Sequence, residues 1–263
     1  MNPTGTYADD LRLALNIADA VDTLTMRHSD PADLTVELKP DHTPVTAVDK
    51  AAEILIRELL EQHAPADSIY GEEYGATGAA ARQWIIDPID GTKNFIRGVP
   101  VWATLISLYD GRKPAVGVVS APALGRRWFA ATGDGAWEGL DASSARPLHV
   151  SKVADIADAS ISYSSLTGWE QCGKMDNFLD LSRAAWRTRA FGDFWSYMMV
   201  AEGAVDVAAE PELDLYDMGA LVPIVLEAGG RFTSLDGTDG PWGGNAIATN
   251  AHLHDDIVAV LGR

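Results

Sequence analysis

Cysteine is nearly absent: Cys172, which follows Gly168-Trp169-Glu170-Gln171 in an expected loop, is the single one in 263 residues. An intrachain disulfide framework is therefore excluded, and a reducing, cytoplasmic setting is expected. The six histidines include no HExxH and no Cys/His cluster with zinc spacing. Long apolar runs are missing too. Stretches such as Val116 to Val119 are far too short to span a bilayer, and Met1-Asn2-Pro3-Thr4 begins no basic segment followed by an apolar core. Basic residues are scarce, 20 against 38 acidic ones for a net charge of -18. That balance repels nucleic-acid backbones and anionic membranes, so neither is an expected partner. No low-complexity tract occurs, and 47% hydrophobic with 22% charged residues is ordinary for a globular chain.

What is present centres on Trp84-Ile85-Ile86-Asp87-Pro88-Ile89-Asp90-Gly91-Thr92-Lys93-Asn94-Phe95. It reads as the end of a buried strand opening onto a helix N-terminus, with Asp87 and Asp90 facing one small volume. Pro88 fixes φ and removes one N–H, which makes a rigid bend. Gly91 permits close backbone approach, and Thr92 can start a helix while offering a hydroxyl. Together these features suit a divalent cation and a phosphate held by backbone N–H groups. They equally suit a turn residue and a helix cap. Phosphate-ester chemistry in so acidic a chain demands metal ions that reverse the local sign of charge.

Further carboxylates could complete such a site, since hard cations need several oxygen ligands from different elements. Glu72 and Glu73 follow Ser68-Ile69-Tyr70-Gly71 at an expected strand end. Asp217 precedes the apolar stretch Met218-Gly219-Ala220-Leu221, and Asp49 follows Thr46 in an acidic version of the capping box. Each has a plainer reading as a solvated or capping residue.

Apolar spacing predicts helices over 7–27 and after Thr46, joined by the polar loop Lys39 to Pro44. Strands are expected at 83–86, 101–108, 115–120 and 126–131, with a hairpin at Asp110-Gly111. Beyond Ser143 to Pro147, which has linker composition, strands at 159–164, 186–190, 205–209 and 246–249 alternate with helices at 174–184, 194–203, 217–228 and 252–261. That alternation suggests an α/β/α arrangement. The length allows one large unit or two packed halves, and the boundary is placed near 145–152, dividing 1–148 from 149–263.

Taken together, Pro44-Val45-Thr46 with Asp49 and Glu53, Gly71-Glu72-Glu73, Trp84 through Phe95, and Tyr216-Asp217 followed by Glu227-Ala228-Gly229-Gly230 resemble the inositol monophosphatase family of magnesium-dependent, lithium-sensitive phosphatases. The resemblance implies an α+β fold: a layered α/β/α/β/α sandwich with an antiparallel sheet in the first half and a mixed one in the second. It also implies a homodimer acting on a small phosphorylated substrate with two to three Mg²⁺ ions per site. Glu73, Asp87, the Ile89 carbonyl, Asp90 and Asp217 would then hold the metals, with Asp49 organising the water around a third ion. Gly91 and Thr92 would bind phosphate, and Thr92 with Glu73 would orient the attacking water.

Within Arg189-Ala190-Phe191-Gly192-Asp193-Phe194, members taking inositol phosphate tend to have Gly, then Ser or Thr, then Ala. Here Asp193 and Phe194 stand in the last two places, and an acidic and an aromatic side chain suit a cationic, planar group. Arg189, Gly192, Asp193, Glu210 and Asp217 are the substrate-side candidates. The pattern resembles the histidinol-phosphate-hydrolysing actinobacterial branch of the family, for which an ammonium and an imidazole would meet Asp193 and Glu210. Inositol 1-phosphate is the rival substrate, and a noncatalytic cation-binding protein is the rival of another class. Adenosine bisphosphate is disfavoured because no basic cluster awaits a second phosphate.

Overall fold

The computed structural model describes residues 5–40, 43–141 and 143–263, with only the backbone of Asp33. Met1–Thr4, and Asp41 and His42 of the expected polar loop, lie outside the described residues. Helix α1 (Ala8–Arg27) leads through the hairpin of β1 (Val36–Leu38) and β2 (Pro44–Thr46) into α2 (Ala47–His63). The capping box forms: Thr46 Oγ1 accepts from Val48 N and Asp49 N, and Thr46 N donates to Asp49 Oδ2 at 2.9 Å.

An eight-stranded sheet follows. It comprises β3 (Ser68–Gly71), β4 (Gly75–Thr77), β5 (Arg82–Asp90), β6 (Ala103–Asp110), β7 (Lys113–Ala121), β8 (Arg126–Ala131), β9 (Gly135–Glu138) and β10 (Arg146–Pro147), with the short α3 (Thr92–Phe95) between β5 and β6. The spatial order is β10-β9-β8-β7-β6-β5-β3-β4. Neighbours run antiparallel except β3 and β5. That parallel pair was not expected; it arises because β4 folds back on β3 as an outer hairpin, so the returning chain enters β5 in the direction of β3.

The second half contributes β11 (Ser160–Ser162), α4 (Leu166–Gln171), α5 (Met175–Ala184), β12 (Arg187–Arg189), α6 (Asp193–Ala201), β13 (Val207–Glu210), α7 (Leu215–Gly219), α8 (Leu221–Glu227), β14 (Arg231–Thr233), β15 (Ala246–Thr249) and α9 (His254–Leu261). Its five strands are ordered β12-β11-β13-β15-β14, with β11 parallel to β12 and β13 and the remaining pairs antiparallel.

Side-chain alternation along the strands explains the layering. Ile86, Ile106, Val116, Val118 and Phe129 bury one face of the large sheet under Leu11, Ile17, Val21, Ile56 and Leu60 of α1 and α2. Leu105, Val119, Trp128 and Ala130 on the opposite face meet α6 and α8, which also cover Ala208, Ala246 and Ala248 of the small sheet. The outer face of that sheet, with Ile161, Val207, Ala209 and Ile247, is closed by Trp169, Phe178, Leu181, Ile257 and Leu261. The result is an α/β/α/β/α sandwich.

Three local expectations change. The helix expected over 217–228 is two helices, α7 and α8, meeting at Ala220. Pro223 has no N–H for the carbonyl of Gly219 four residues back, and Tyr109 Oη donates to that carbonyl instead, at 3.0 Å. The strand expected at 83–86 continues to Asp90, and the bend at Pro88 is a register shift between Asp87 and Asp90 within it. Proline is tolerated at such a bulge because no ladder N–H is required there. Finally, Gly168 to Gln171, expected as loop, belongs to α4, whose first turn is capped by Ser165 Oγ accepting from Thr167 N.

Candidate active site

The bulged end of β5 and the first turn of α7 bring three aspartates together. One carboxylate oxygen from each of Asp87, Asp90 and Asp217 lies within 4.8 Å of the others. Asp87 is held by Ile89 N, which donates to its Oδ1 at 3.0 Å; Asp214 N donates to Asp217 Oδ2 at 2.7 Å. All three line a cavity of about 620 Å³ together with Glu72, Ile89, Gly91, Thr92, Asp193 and Glu210.

Burial, followed by the neighbouring charges of Glu72, Asp90 and Asp217, pushes the Asp87 carboxyl well above its ordinary range. Asp90 is pushed well up by burial and then by Asp193 and Asp217. Burial raises Asp217 to about 7 and Glu210 to about 8, and Glu72 also rises through burial. So many buried carboxylates can all be charged near neutral pH only beside cations. An all-oxygen donor set of this kind fits a hard divalent ion such as Mg²⁺.

Thr92 and Asp49 meet beside this cluster. Thr92 Oγ1 donates toward Asp49 Oδ1 at 3.3 Å and Ile89 O at 3.0 Å. Asp49, fully buried, thus serves as helix-capping residue and as Thr92's partner at once.

Glu72, rather than the expected Glu73, belongs to the cavity wall. Buried Glu53 fixes the turn by accepting from Glu73 N at 2.7 Å and Tyr74 N at 3.1 Å. Lys39 Nζ pairs with both glutamates, 2.6 Å from Glu72 Oε1 and 2.7 Å from Glu73 Oε1. Adjacent residues leave the backbone in different directions, and the family resemblance had pointed to Glu73.

On the substrate side, Gly192 and Asp193 line the cavity. Asp193 takes a left-handed φ of 48°; its N donates to Ser164 Oγ at 2.9 Å, and its Oδ2 accepts from Asn94 Nδ2 at 2.9 Å. Arg189 lies outside the wall: it is exposed on β12, and its Nη1 donates to the Thr188 carbonyl at 2.7 Å. The Phe194 ring does not stack on a ligand either. It is 1% exposed and packs 6.0 Å from Trp128, because the first turn of α6 directs it into the core between the sheets. Phe191 and Tyr216 border the cavity along with Phe194, Phe191 standing edge-on to Trp195 at 5.8 Å. Ser164, Phe191 and Tyr197 were missed as wall residues; only Phe191, next to Gly192-Asp193, stood where a sequence signal existed.

The comparisons agree with this architecture. The profile of the inositol monophosphatase family matches residues 9–262. A histidinol-phosphatase of Streptomyces coelicolor is 59% identical over 261 residues, covering 98% of each chain. A histidinol-phosphatase of Mycobacterium tuberculosis is 54% identical, covering 96% of this chain and 98% of its own. Among solved structures, an inositol monophosphatase from Zymomonas mobilis superposes with a TM-score of 0.86 at 31% identity, covering 99% of this chain and 100% of that one. With the carboxylate cluster and the five-layered sandwich in place, this chain belongs to the inositol monophosphatase family.

Proposed function

We propose that this protein hydrolyses L-histidinol phosphate to L-histidinol and phosphate, using two to three Mg²⁺ ions. The observation that carries the reading is one cavity holding two sets of carboxylates: Asp87, Asp90, Asp217 and Glu72 for cations, and Asp193 with Glu210 for a cationic leaving group. The two histidinol-phosphatases that share more than half their residues with this chain support the substrate.

In this reading Asp87, Asp90, Asp217, the Ile89 carbonyl and Glu72, in place of Glu73, hold the ions. Bound there, the ions supply positive charge for the phosphoryl oxygens and acidity for a water. Thr92 Oγ1, anchored on Ile89 O and Asp49, keeps lone pairs to orient that water. Gly91, with φ of 83°, is required because a Cβ there would meet the Val101 carbonyl at 2.9 Å, and its backbone N–H at the start of α3 would bind the substrate phosphate. Glu210 and Asp193 face the departing alcohol, where an ammonium or imidazolium gains charge-assisted hydrogen bonds.

The division at 148/149 belongs to the same proposal, because the large sheet ends at Pro147 and the small one begins at Ser160. So do a homodimer and a cytoplasmic location; no helix among the described residues is long and apolar enough to cross a membrane. The test compares Mg²⁺-dependent phosphate release from histidinol phosphate and inositol 1-phosphate at equal concentrations. The expected result is a strong preference for histidinol phosphate; preference for inositol 1-phosphate would overturn the substrate, and absence of any turnover the enzyme.

A further inference from the structure

Tyr197 sits on α6 one turn after Asp193. Its ring belongs to the core between the sheets, 5.7 Å from Phe232, yet the residue also reaches the cavity wall beside Glu210. Two polar atoms there, Tyr197 Oη and Glu210 Oε1, make no well-formed hydrogen bond among the described residues, although the Tyr197 and Ser164 hydroxyls stand close enough to the Glu210 carboxyl to influence its titration. Both residues are more than nine-tenths buried, at 1% and 7% exposure. Such atoms cost free energy unless something meets them. Elsewhere in the wall the polar groups are engaged: Asp193 Oδ2 by Asn94, Ser164 Oγ by Asp193 N, and Asp90 Oδ2 by Phe194 N.

We propose that Tyr197 is a specificity-determining residue, its hydroxyl forming with Glu210 Oε1 a two-atom receptor for the N–H donors of a cationic leaving group. The proposal rests on the histidinol phosphate reading and adds a residue to it. A carboxylate oxygen only accepts, whereas a phenol oxygen accepts through its lone pairs and donates one hydrogen. An ammonium presents three N–H donors, so it can satisfy Glu210 Oε1 and Tyr197 Oη together and leave the phenol hydrogen for a carboxylate. A neutral polyol places one hydrogen on each oxygen and, carrying no positive charge, lacks the ion-pair attraction that an ammonium gains from the Glu210 carboxylate. Discrimination is strongest where a site would otherwise hold buried polar groups unpaired.

The test uses the Mg²⁺-loaded protein and Tyr197→Phe, which keeps the ring against Phe232 and removes only the hydroxyl. Steady-state constants are measured for histidinol phosphate and for ethyl phosphate, whose leaving group carries no nitrogen. The expected result is a rise of about tenfold in the ratio of the two KM values, the size of one lost hydrogen bond to a charged group, with a much smaller change in kcat. Calorimetric titration with L-histidinol should show a parallel loss of affinity. Glu210→Gln should lower the same selectivity, and the double variant should lose less than the sum of the singles, as for groups acting on one ligand. A Tyr197→Phe protein with an unchanged KM ratio and unchanged histidinol affinity overturns the proposal, even if its thermal stability shifts. Wild-type protein inactive on histidinol phosphate would instead overturn the functional reading on which this one stands.

Discussion

The amide of Phe194 donates to Asp90 Oδ2 at 2.8 Å, so the helix that begins with Asp193 is anchored on a carboxylate of the cation cluster. The chain thereby couples the groups that would select the leaving group to those that would hold the ions, across 104 residues of sequence.

Asp90→Asn removes one of three carboxylates that converge within 4.8 Å. Phosphate release should fall by about 10³-fold or more, as expected when charge stabilisation at the reacting centre is lost. Thermal unfolding with and without Mg²⁺ provides an independent reading. Saturating Mg²⁺ should stabilise the wild type by about 2–3 kcal/mol at a hundredfold excess over Kd, and the variant by much less. Equal Mg²⁺ stabilisation of both proteins would remove Asp90 from the site.

Glu72 and Glu73 are neighbours with different surroundings, since only Glu72 lines the cavity. Glu72→Gln should reduce both turnover and Mg²⁺ affinity by at least about tenfold, the loss expected of a charge-assisted contact. Glu73→Gln, which removes one of the two carboxylates on Lys39, should cost less. The reverse order in kinetics and calorimetry would restore the role that the sequence first suggested for Glu73.

Tyr109→Phe leaves the Gly219 carbonyl without the hydroxyl that donates to it at 3.0 Å. A buried acceptor left unmatched costs about 1–3 kcal/mol. Urea denaturation should register that loss in the midpoint with no change in m-value. Because Gly219 lies two residues beyond Asp217, Mg²⁺ affinity should weaken as well. A variant as stable as the wild type would show that Pro223 alone accounts for the break between α7 and α8.

His254 is buried between Thr233 Oγ1 at 3.0 Å and Thr249 Oγ1 at 2.9 Å, and burial holds its pKa down at about 4 against an ordinary 6.5. The unfolded chain therefore binds the extra proton first. The stabilisation is complete above pH 6.5 and is lost as pH falls through the interval toward 4, by about 3 kcal/mol in all. Urea titrations at pH 7.5 and pH 5 should show His254→Gln losing less stability than wild type between the two values. Parallel losses would mean that other groups govern the acid side.

Much of the architecture was legible in local pattern. The burial period of α1, the Thr46–Asp49 capping box and the alternation of strands and helices after residue 150 all follow from short-range rules that act within a few residues. The stretch Asp87 to Thr92 was legible as a rigid bend opening onto a helix start, which suited a cation site and a capped turn equally, and the other family segments tipped the balance. Other features failed to show because their causes are distant. The split of α7 from α8 needs Tyr109 as well as Pro223, and the burial of Phe194 needs Trp128.

By itself, then, the sequence determined an acidic chain mixing helices and strands, with a stretch from Asp87 to Thr92 that suits a cation and a phosphate, because strand period, turn chemistry and charge are local properties; the α+β fold and the metal ligands were what its resemblance to a family implied. Only the tertiary structure decided that Glu72 faces the cavity, that Arg189 stays outside it, that the Phe194 ring packs against Trp128, and that Tyr197 and Glu210 line one wall. Each of those outcomes depends on the direction in which a side chain leaves a packed element, and that direction is set by neighbours tens of residues away.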